Sequence, residues 1–404
     1  MATTSTSTAV ATVESVFTEP EQLTLAGFLA GYTGLTREAY ALDLRQFAGQ
    51  MLTAQTRIFC TSSALCQVQA GRQSGHAAAG GAAMKAVVYA RYGPPEVLRL
   101  TDVDTPVPGD DQVLVKVHAV SLNASDWEVL RGKPVYSRIG GPFRPRHHIL
   151  GSDVAGRVAS TGPNATLFRP GDDVFADIFS HMGGFAEYVC VPQTALAPIP
   201  AGLTYEQAAA LPQAGAIALQ GIRDTGRVQP GQKVLINGGG GGSGMYAVQL
   251  AKLDGAEVTG VDTAEKLEFM RSLGADHVID YARQDFTTNG RGYDLILDLA
   301  AYRPAFAYRR SLRPGGRYLY VGGSVATLLQ VLLIGPLTGR AERKRIRLLA
   351  VRLGVQHLDP LIELSQAGKI TTVIDRRVPL SEVPAALRYL GEGHAKGKVV
   401  ATVG

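Results

Sequence analysis

Cysteine is scarce in this sequence: the only three among 404 residues are Cys60, Cys66 and Cys190. Three thiols provide neither a framework of several disulfides nor a four-cysteine zinc site. The scarcity therefore argues against a small domain held together by disulfide bonds. It favours a reducing compartment, and we expect the protein to be cytoplasmic.

Long apolar runs and a strong excess of charge are also missing. The apolar stretch at 328–337 is interrupted by Gly335 and Pro336 and is well short of the ~20 residues that a membrane-spanning helix needs. The net charge of +5 is modest for this length and gives no argument for nucleic-acid binding. Residues 1–19 contain no Lys or Arg, so we expect them to match neither a secretory signal nor an Arg-rich transit peptide.

Residues 1–83 differ in composition from the rest of the chain. After a Ser/Thr/Ala-rich start, residues 23–47 place Tyr40, Leu44 and Phe47 on one helical stripe, and residues 71–83 have the composition of a flexible linker. The segment from 23 to 49 weakly resembles the N-terminal arm domain of phage-type tyrosine recombinases. Because no recombinase catalytic domain follows, we interpret it as a stray amphipathic segment in a low-complexity N-terminal extension.

The chain is organised around residues 233–262, KVLINGGGGGSGMYAVQLAKLDGAEVTGVD. A short aliphatic run precedes five glycines, and apolar residues at helical spacing follow them. A second apolar run then ends in Asp262. This order predicts a strand, a glycine turn, a helix and a second strand, which together form half of a dinucleotide-binding site.

The five consecutive glycines span residues 238–242, and a sixth follows at 244. The G-x-G-x-x-G pattern fits only Gly239, Gly241 and Gly244. We assign to these residues, in order, the tight turn, the close approach of a pyrophosphate and the packing of the helix on the strand. The free N–H groups at the start of the helix favour anions. Gly242 and Ser243, which lie there, complete the predicted pyrophosphate site.

The remaining sequence divides into two kinds of segment. Short β-like runs alternate with Gly and Pro turns up to about residue 200, which predicts a compact, mostly antiparallel β domain. After Glu206, helices alternate with buried strands, which predicts a doubly wound parallel sheet. The predicted α/β organisation is an N-terminal extension (1–83), a β catalytic domain (84–209), a dinucleotide-binding domain (210–355) and a segment that returns to the catalytic domain (356–404).

Residues 84–404 resemble the medium-chain dehydrogenase/reductase superfamily, and within it the zinc-free, quinone oxidoreductase-like branch. The motifs that carry the resemblance are MKAVVYARYGPPEVLRL, VSLNASDW, HHILGSDVAGRV, RPGDDVFA, GGFAEYVCVP, the glycine turn, RSLGADHVIDY, GGRYLYVGG and GKVVATV. The resemblance implies a GroES-like catalytic domain joined to a Rossmann domain. It also implies an NAD(P)H-dependent oxidoreductase that transfers hydride to a quinone, an enone or a related carbonyl compound.

The zinc enzymes of this superfamily hold their catalytic ion with a cysteine and a His-Glu pair, and a catalytic zinc needs three such protein ligands. Here Asn123, Ser152 and Asp153 occupy those places. His147 and His148 are neighbours in an extended segment, so their side chains point to opposite sides and form no joint metal site. We therefore predict an enzyme that needs no zinc and no other metal.

The resemblance also implies which residues surround the substrate. The asparagine matching Asn123 lies beside the nicotinamide in related reductases, and the residue matching Ser152 lines the same pocket. Asp126 is either part of the catalytic site or a hydrogen-bond acceptor for the loop backbone. Tyr136 either donates a proton or a hydrogen bond to the developing enolate or is a packed aromatic residue.

The predicted cofactor site contains signals for both nicotinamide dinucleotides. Asp262 fits the ribose hydroxyls of NAD(H) and would repel a 2′-phosphate. Lys266 and Tyr281 occupy positions that touch this phosphate in NADPH-using relatives, and Gly322 and Gly323 complete the site. The habit of the family favours NADPH, whereas the charge of Asp262 fits NADH.

A basic stretch follows the apolar residues at 328–337. Its cations are Arg340, Arg343, Lys344, Arg345, Arg347 and Arg352. Apolar residues beside a basic cluster are typical of peripheral contact with anionic membranes. A helix over the cleft or at a homodimer contact, with a solvated basic face, is the interpretation we prefer.

Two other functions are compatible with the same sequence. The first is a zinc-independent alcohol dehydrogenase or aldehyde/ketone reductase. The second, from another class, is a catalytically weak nucleotide-binding regulatory protein. Ile217 suggests the latter, since relatives carry a threonine there, and so does the all-glycine turn, which has more backbone freedom to lose on ordering.

Overall fold

The computed structural model describes residues 82–138, 141–335 and 343–404, which belong to one compact unit, Gly80–Gly404. The predicted amphipathic helix at 23–47 and Arg340 of the basic stretch lie outside the described residues. None of the helices in the described ranges combines the length and the apolar character that crossing a bilayer requires.

Strands dominate the first part of this unit and alternate with helices in the second. The strands are β1 (Ala83–Val88), β2 (Arg99–Asp104), β3 (Gln112–Leu122), β4 (Asp153–Thr161), β5 (Asp173–Asp177), β6 (Tyr188–Pro192), β7 (Leu196–Pro198), β8 (Lys233–Asn237), β9 (Glu257–Asp262), β10 (His277–Asp280), β11 (Tyr293–Asp298), β12 (Leu312–Tyr320), β13 (Arg345–Leu348), β14 (Ile374–Pro379) and β15 (Lys398–Thr402). The α-helices are α1 (Ala124–Arg131), α2 (Tyr205–Ala210), α3 (Pro212–Leu219), α4 (Gly242–Leu253), α5 (Leu267–Ser272), α6 (Ala305–Ser311), α7 (Val325–Ile334), α8 (Asp359–Gln366) and α9 (Val383–Gly391).

The catalytic domain is built around a seven-stranded sheet. Its strand order is β14-β15-β3-β4-β5-β7, and β6 pairs with β3. Every pairing is antiparallel except that of β14 with β15. Along β3, Val113, Val115 and Val117 are buried in alternation with more exposed residues, which is the pattern of a strand with one face on the core.

The cofactor domain is a six-stranded parallel sheet in the order β10-β9-β8-β11-β12-β13. Residues 234–236 of β8 and 295–297 of β11 are apolar and almost fully buried, as expected for parallel strands covered on both faces. At the carboxyl edge of this sheet, β8, β9 and β11 end in Asn237, Asp262 and Asp298. Dinucleotides bind at this edge in doubly wound sheets.

The chain returns to the catalytic sheet at a point where the two sheets meet. The main-chain N–H of Gly397 donates to the carbonyl of Gly240, at 3.0 Å, and Gly397 forms an isolated parallel bridge with Gly241. The next residue, Lys398, begins β15, which pairs with β3. The prediction of a mostly antiparallel β domain joined to a doubly wound parallel sheet is confirmed.

Candidate active site

The glycine turn between β8 and α4 differs by one residue from its predicted geometry. The left-handed residue is Gly238, with φ +83°, whereas we assigned the tight turn to Gly239. A Cβ on Gly239 would lie 2.8 Å from the sulfur of Met270, so packing explains this glycine. Gly238, the first glycine of the run, therefore makes the turn, a role that the G-x-G-x-x-G register did not predict.

The other two glycines of the motif meet the requirements that we assigned to them. A Cβ on Gly244 would lie 2.2 Å from the carbonyl oxygen of Gly238, so only glycine allows the helix to pack this closely on the turn. At Gly241, the N-cap of α4, the nearest atom to a Cβ is 3.5 Å away, which leaves open space beside the backbone. The N–H groups of Gly242, Ser243 and Gly244 start the helix and have no carbonyl partner within it. This geometry suits an anion.

Asp262 and Lys266 form an ion pair beside the glycine turn. Both are largely buried, with exposed fractions of 7% and 5%, and Oδ1 of Asp262 lies 3.4 Å from Nζ of Lys266. Oδ2 of Asp262 accepts a hydrogen bond from the N–H of Gly240 at 3.0 Å. We predicted that Asp262 repels a 2′-phosphate and that Lys266 binds it. In the structure the two side chains compensate each other's charge. The predicted repulsion by Asp262 is correspondingly weaker.

The exposed end of the cofactor site carries aromatic side chains. Tyr281 follows β10, and its N–H donates to the carbonyl of Asp262 at 3.3 Å. Its ring lies 5.6 Å from that of Tyr302, which the sequence analysis missed, and both rings are partly exposed. Gly322 and Gly323 follow β12 and contact the loop after β11, where the N–H of Ala301 donates to the carbonyl of Gly322 at 2.8 Å.

A buried polar cluster lies where the catalytic domain meets the glycine turn. The amide nitrogen of Asn123 donates to Oγ of Ser152 at 3.1 Å and to Oδ2 of Asp153 at 2.9 Å. Its amide oxygen accepts a hydrogen bond from Nζ of Lys398 at 2.6 Å. The N–H of Gln213, at the start of α3, also donates to Oδ2 of Asp153, at 3.1 Å. Every polar atom of the Asn123 side chain is thus engaged within the protein.

Of the two roles predicted for Asp126, the hydrogen bonds in the structure support the structural one. Its carboxylate accepts hydrogen bonds from the N–H of Asn123 at 2.8 Å and from the N–H of Gly151 at 3.2 Å, and the first of these closes a capping box at the start of α1. The side chain is fully buried, and burial raises its pKa to about 7 although the two hydrogen bonds lower it. Asp126 therefore orients the helix and the loop, and its placement does not support direct catalysis.

Burial divides the predicted catalytic residues into two groups. Ser152 and Asp126 are fully buried and Asn123 nearly so, and none of the three presents an exposed side chain. Tyr136 is only half-buried, in the 3₁₀ turn that follows α1. Of the four predicted residues, Tyr136 is the one best placed to touch a substrate.

Glu128, which the sequence analysis missed, accompanies Tyr136. Burial raises the pKa of Glu128 to about 7, and no hydrogen bond or ion pair joins its carboxylate to any other described residue. Burial, and next the charge of Glu128, raise the pKa of Tyr136 to about 12. The pKa of Tyr320, at the end of β12, is raised by burial and then by Tyr136 and Glu128. The charges of Glu128 and Tyr136 therefore act on Tyr320 at the end of β12.

The two adjacent histidines point to different neighbours, as predicted. Nδ1 of His148 lies 3.1 Å from the carbonyl of Tyr89, whereas His147 is paired with the backbone of His181. Burial, and next the charge of Arg146, lower the pKa of His147. Across the described ranges, no three His, Cys, Asp or Glu side chains converge in a way that could hold a metal ion.

Lys398 is the largest omission of the sequence analysis. The motif GKVVATV supported the family resemblance, but its lysine was not treated as part of the site. The sequence did contain a signal for this residue. Lys398 directly precedes the apolar run VVA, so it stands at the start of a predicted buried strand. Charges in such places are generally paired.

Comparisons with known proteins agree with this architecture. The family described as "Alcohol dehydrogenase GroES-like domain" matches residues 109–201, and "Zinc-binding dehydrogenase" matches residues 273–400. The chloroplastic quinone-oxidoreductase QR1 of Triphysaria versicolor is 33% identical over 334 residues, which cover 79% of this chain and 98% of the relative. The 2-methylene-furan-3-one reductase of Solanum lycopersicum is also 33% identical, with 78% of each chain covered.

Among solved structures, the quinone oxidoreductase from Coxiella burnetii is 30% identical to this chain. Its TM-score is 0.72, with 80% of this chain and 100% of that chain covered. Both halves of the fold and the glycine turn lie within the matched length. The chain therefore belongs to the medium-chain dehydrogenase/reductase superfamily and is an oxidoreductase whose cofactor is a nicotinamide nucleotide.

Proposed function

We propose that the protein is a zinc-independent, NADPH-dependent reductase of quinones and enones. The printed names of its relatives, which include quinone oxidoreductases and an NADPH-dependent alkenal/one oxidoreductase of Arabidopsis thaliana, support this substrate class. The single observation that carries the proposal is the environment of Asn123, since this residue takes the place of a zinc ligand.

The donor set around Asn123 does not fit a catalytic zinc. The oxygen of its amide already faces the ammonium of Lys398 at 2.6 Å, and a second cation at the same point would be repelled. Ser152 offers only a neutral hydroxyl, and the Oδ2 atom of Asp153 already accepts two hydrogen bonds, so the cluster lacks the three His, Cys or carboxylate ligands that a catalytic zinc needs. Without a Lewis acid, alkoxide formation from an alcohol lacks its usual stabilisation. A quinone or an enone instead delocalises onto oxygen the charge that it gains with the hydride, and this difference favours reduction.

The residues of this chain bind and orient the reactants. When bound, the reduced nicotinamide supplies the hydride. The N-terminus of α4, with the open space at Gly241, receives the pyrophosphate. The loops after β11 and β12, with Gly322 and Gly323, lie at the carboxyl edge of the sheet, where the nicotinamide half of a dinucleotide is held.

Tyr136 and Glu128 act on the substrate side of the cleft. The hydroxyl of Tyr136 is a weak acid, so it donates a hydrogen bond to the oxygen on which charge develops. Glu128 has a pKa near the working pH, so a large fraction of it is protonated and able to supply the proton that the reduced substrate needs. The deeply buried Asn123, Ser152 and Asp126 hold α1, which carries Glu128, in place.

The environment of Asp262 supports NADPH as the preferred cofactor. Lys266 compensates the charge of this carboxylate, which weakens its repulsion of a 2′-phosphate. Tyr281 is partly exposed beside the pair and can donate its hydroxyl to the phosphate. NADH remains the expected second choice, because the carboxylate can still accept a ribose hydroxyl.

We also propose a cytoplasmic homodimer. Among the described strands, β13 lies at an edge of the parallel sheet, and such an edge leaves main-chain groups that can pair with another chain. Sedimentation at micromolar protein concentration tests this proposal, and a monomer would contradict it. The scarcity of cysteine supports the location.

The substrate class is tested by NADPH oxidation against a panel of quinones and enones, with NADP⁺ reduction by simple alcohols measured in parallel. We expect turnover with quinones or enones and none with alcohols. Preferred oxidation of an alcohol would favour the zinc-free alcohol dehydrogenase. Binding of NADPH without turnover on any substrate would favour a regulatory nucleotide-binding protein.

A further inference from the structure

Lys398 is an almost fully buried cation at the junction of the two domains, with an exposed fraction of 2%. Its ammonium donates to the amide oxygen of Asn123 at 2.6 Å and reaches the carbonyl of Leu122 at 3.4 Å. Burial lowers the pKa of Lys398, whereas the charges of Asp153 and Asp126 raise it. A lysine buried this deeply requires polar partners, and the oxygens of Asn123 and Leu122 provide them.

The other end of Lys398 lies against the glycine turn. A Cβ added to Gly242 would be 2.8 Å from Cδ of Lys398, so the aliphatic part of the lysine packs on the first turn of α4. The preceding residue, Gly397, is hydrogen-bonded to Gly240. One side chain therefore connects the turn that receives the cofactor to the residue that caps α1.

The chemistry of Asn123 makes this connection directional. A lysine ammonium can only donate, so it must face the amide oxygen. The amide nitrogen must then face its acceptors, Ser152 and Asp153, as the structure shows. The lysine thus reinforces at the amide oxygen the orientation that Ser152 and Asp153 favour at the amide nitrogen.

Asn123 is the N-cap of α1, and α1 carries Glu128 on its second turn. The carbonyl of Glu128 in turn accepts a hydrogen bond from Oγ of Ser137, at 3.0 Å, which holds the turn that contains Tyr136. Asn123 is therefore linked through α1 to Glu128 and to the turn that contains Tyr136.

We propose that Lys398 is a positioning residue that fixes α1, with Glu128 and Tyr136, relative to the cofactor turn by orienting the amide of Asn123. The inference rests on the proposed reductase function. The residue does not act on the substrate itself. It maintains the distance between the hydride donor and the two side chains, Glu128 and Tyr136, that act on the reduced substrate. Misplacement of such groups by about 1 Å can lower rates about 100-fold.

The test uses Lys398→Met, which keeps the aliphatic stem and removes the ammonium. We expect kcat for quinone or enone reduction at saturating NADPH to fall at least about tenfold, as geometry-dependent steps do. NADPH affinity, measured by fluorescence titration, is expected to change by less than about threefold. The matched control is Lys396→Met, two residues earlier and half-exposed, which should leave both quantities unchanged.

A double-mutant cycle with Asn123→Ala separates positioning from general stabilisation. If Lys398 acts through Asn123, the double variant is no slower than the slower single variant, because both changes remove the same arrangement. Urea unfolding of the cofactor-free variants gives a readout without activity, and we expect non-additive losses of stability there too. If Lys398→Met does not fold, Lys398→Gln is assayed instead: it keeps a donor for the amide oxygen of Asn123 and is expected to keep more of kcat than Lys398→Leu, which has none, and equal rates in the two variants would overturn the inference.

Three results would overturn the inference. These are a loss of NADPH affinity with kcat retained, additive effects in the cycle, and full activity of Lys398→Met. The first would mean that the ammonium serves the cofactor phosphates. A wild-type protein that reduces no quinone or enone would instead defeat the proposed function, and the unfolding cycle would still report on the contact.

Discussion

Nζ of Lys266 lies 3.4 Å from Oδ1 of Asp262, and both side chains are almost completely buried beside the glycine turn. The cation that we expect to receive a 2′-phosphate is thus already held by the acid that we expect to bind the ribose. Cofactor preference therefore depends on how strongly the acid retains the lysine.

Asp262→Ser is expected to shift preference further toward NADPH. The change removes a negative charge near the phosphate and releases Lys266 to bind it, which corresponds to about 1–3 kcal/mol in a partly screened cleft. Paired kcat/KM values for NADPH and NADH measure the shift. Glu265→Ser removes an exposed carboxylate close by and should leave the ratio unchanged. An unchanged ratio in Asp262→Ser would place the phosphate elsewhere.

Gly241→Val should abolish NADPH binding while the protein remains folded. Gly241 has φ −87°, which valine adopts readily, and among the described residues beyond its immediate neighbours the carbonyl oxygen of Gly238, at 3.5 Å, is the nearest atom to its Cβ position. The added side chain would fill the space that the pyrophosphate enters. Thermal unfolding and fluorescence titration measure the two properties. Wild-type affinity in this variant would show that the pyrophosphate approaches another residue.

Gly244→Ala is expected to show a different pattern, with a loss of stability of about 2 kcal/mol or more. Its Cβ would lie 2.2 Å from the carbonyl oxygen of Gly238, and main-chain atoms cannot move aside cheaply. Urea unfolding measures the loss. A fully stable Gly244→Ala would contradict the close packing of α4 on the turn.

Much of this site could be predicted from the sequence because its signals are local. Gly241, Gly244 and Asp262 lie within one 30-residue unit whose periodicity and spacing follow from strand, turn and helix geometry. The prediction of Gly239 as the tight-turn residue was wrong by one position, because the left-handed residue is Gly238. A run of five glycines has no side chains that indicate where the backbone turns. The choice between structural and catalytic roles for Asp126 also needed coordinates, because the spacing is the same for both.

The contact between Lys398 and Asn123 could not be predicted in the same way. The two residues are 275 positions apart, and they meet only because β15 returns from the cofactor domain to pair with β3. Glu128 escaped notice for a related reason, since its raised pKa comes from burial in the folded chain, which its sequence neighbours do not reveal.

Buried carboxyl groups should make folding stability depend on pH in an unusual direction. Burial raises the pKa of Asp126 and of Glu128 to about 7, and burial and then Asp177 raise that of Asp153. A carboxyl with a raised pKa keeps its proton in the folded state while the unfolded chain has already lost it. Stability is therefore highest below about pH 4 for these groups and declines as pH rises to about 7 and beyond.

Asp153→Asn tests this behaviour. Oδ2 of Asp153 accepts both hydrogen bonds, and Oδ1 has no partner among the described groups, so an amide fits with its oxygen in the accepting position. We expect a flatter dependence of unfolding free energy on pH between 5 and 8, where each unit of pKa shift corresponds to about 1.4 kcal/mol. Asp110→Asn, at an exposed site, should keep the wild-type slope, and an unchanged slope in Asp153→Asn would mean that Asp153 is ionised when folded.

Removal of residues 1–81 should leave folding and NADPH binding intact. Both sheets and the glycine turn lie in the compact unit that β1 opens at Ala83, and the relative from Triphysaria versicolor is matched over 98% of its length by 79% of this chain. Thermal unfolding and NADPH titration of the shortened protein measure the outcome. Aggregation or lost binding would assign the N-terminal segment a structural role.

The central claim is that this chain reduces quinones or enones without a metal. The most direct measurement is the rate of NADPH oxidation with a quinone in the presence of a strong chelator, with the zinc content of the same sample determined by elemental analysis. We predict an unchanged rate and no stoichiometric zinc, because the ammonium of Lys398 faces the amide oxygen of Asn123 and would repel a metal ion there. One zinc per chain, with activity lost on its removal and restored on its return, would contradict it.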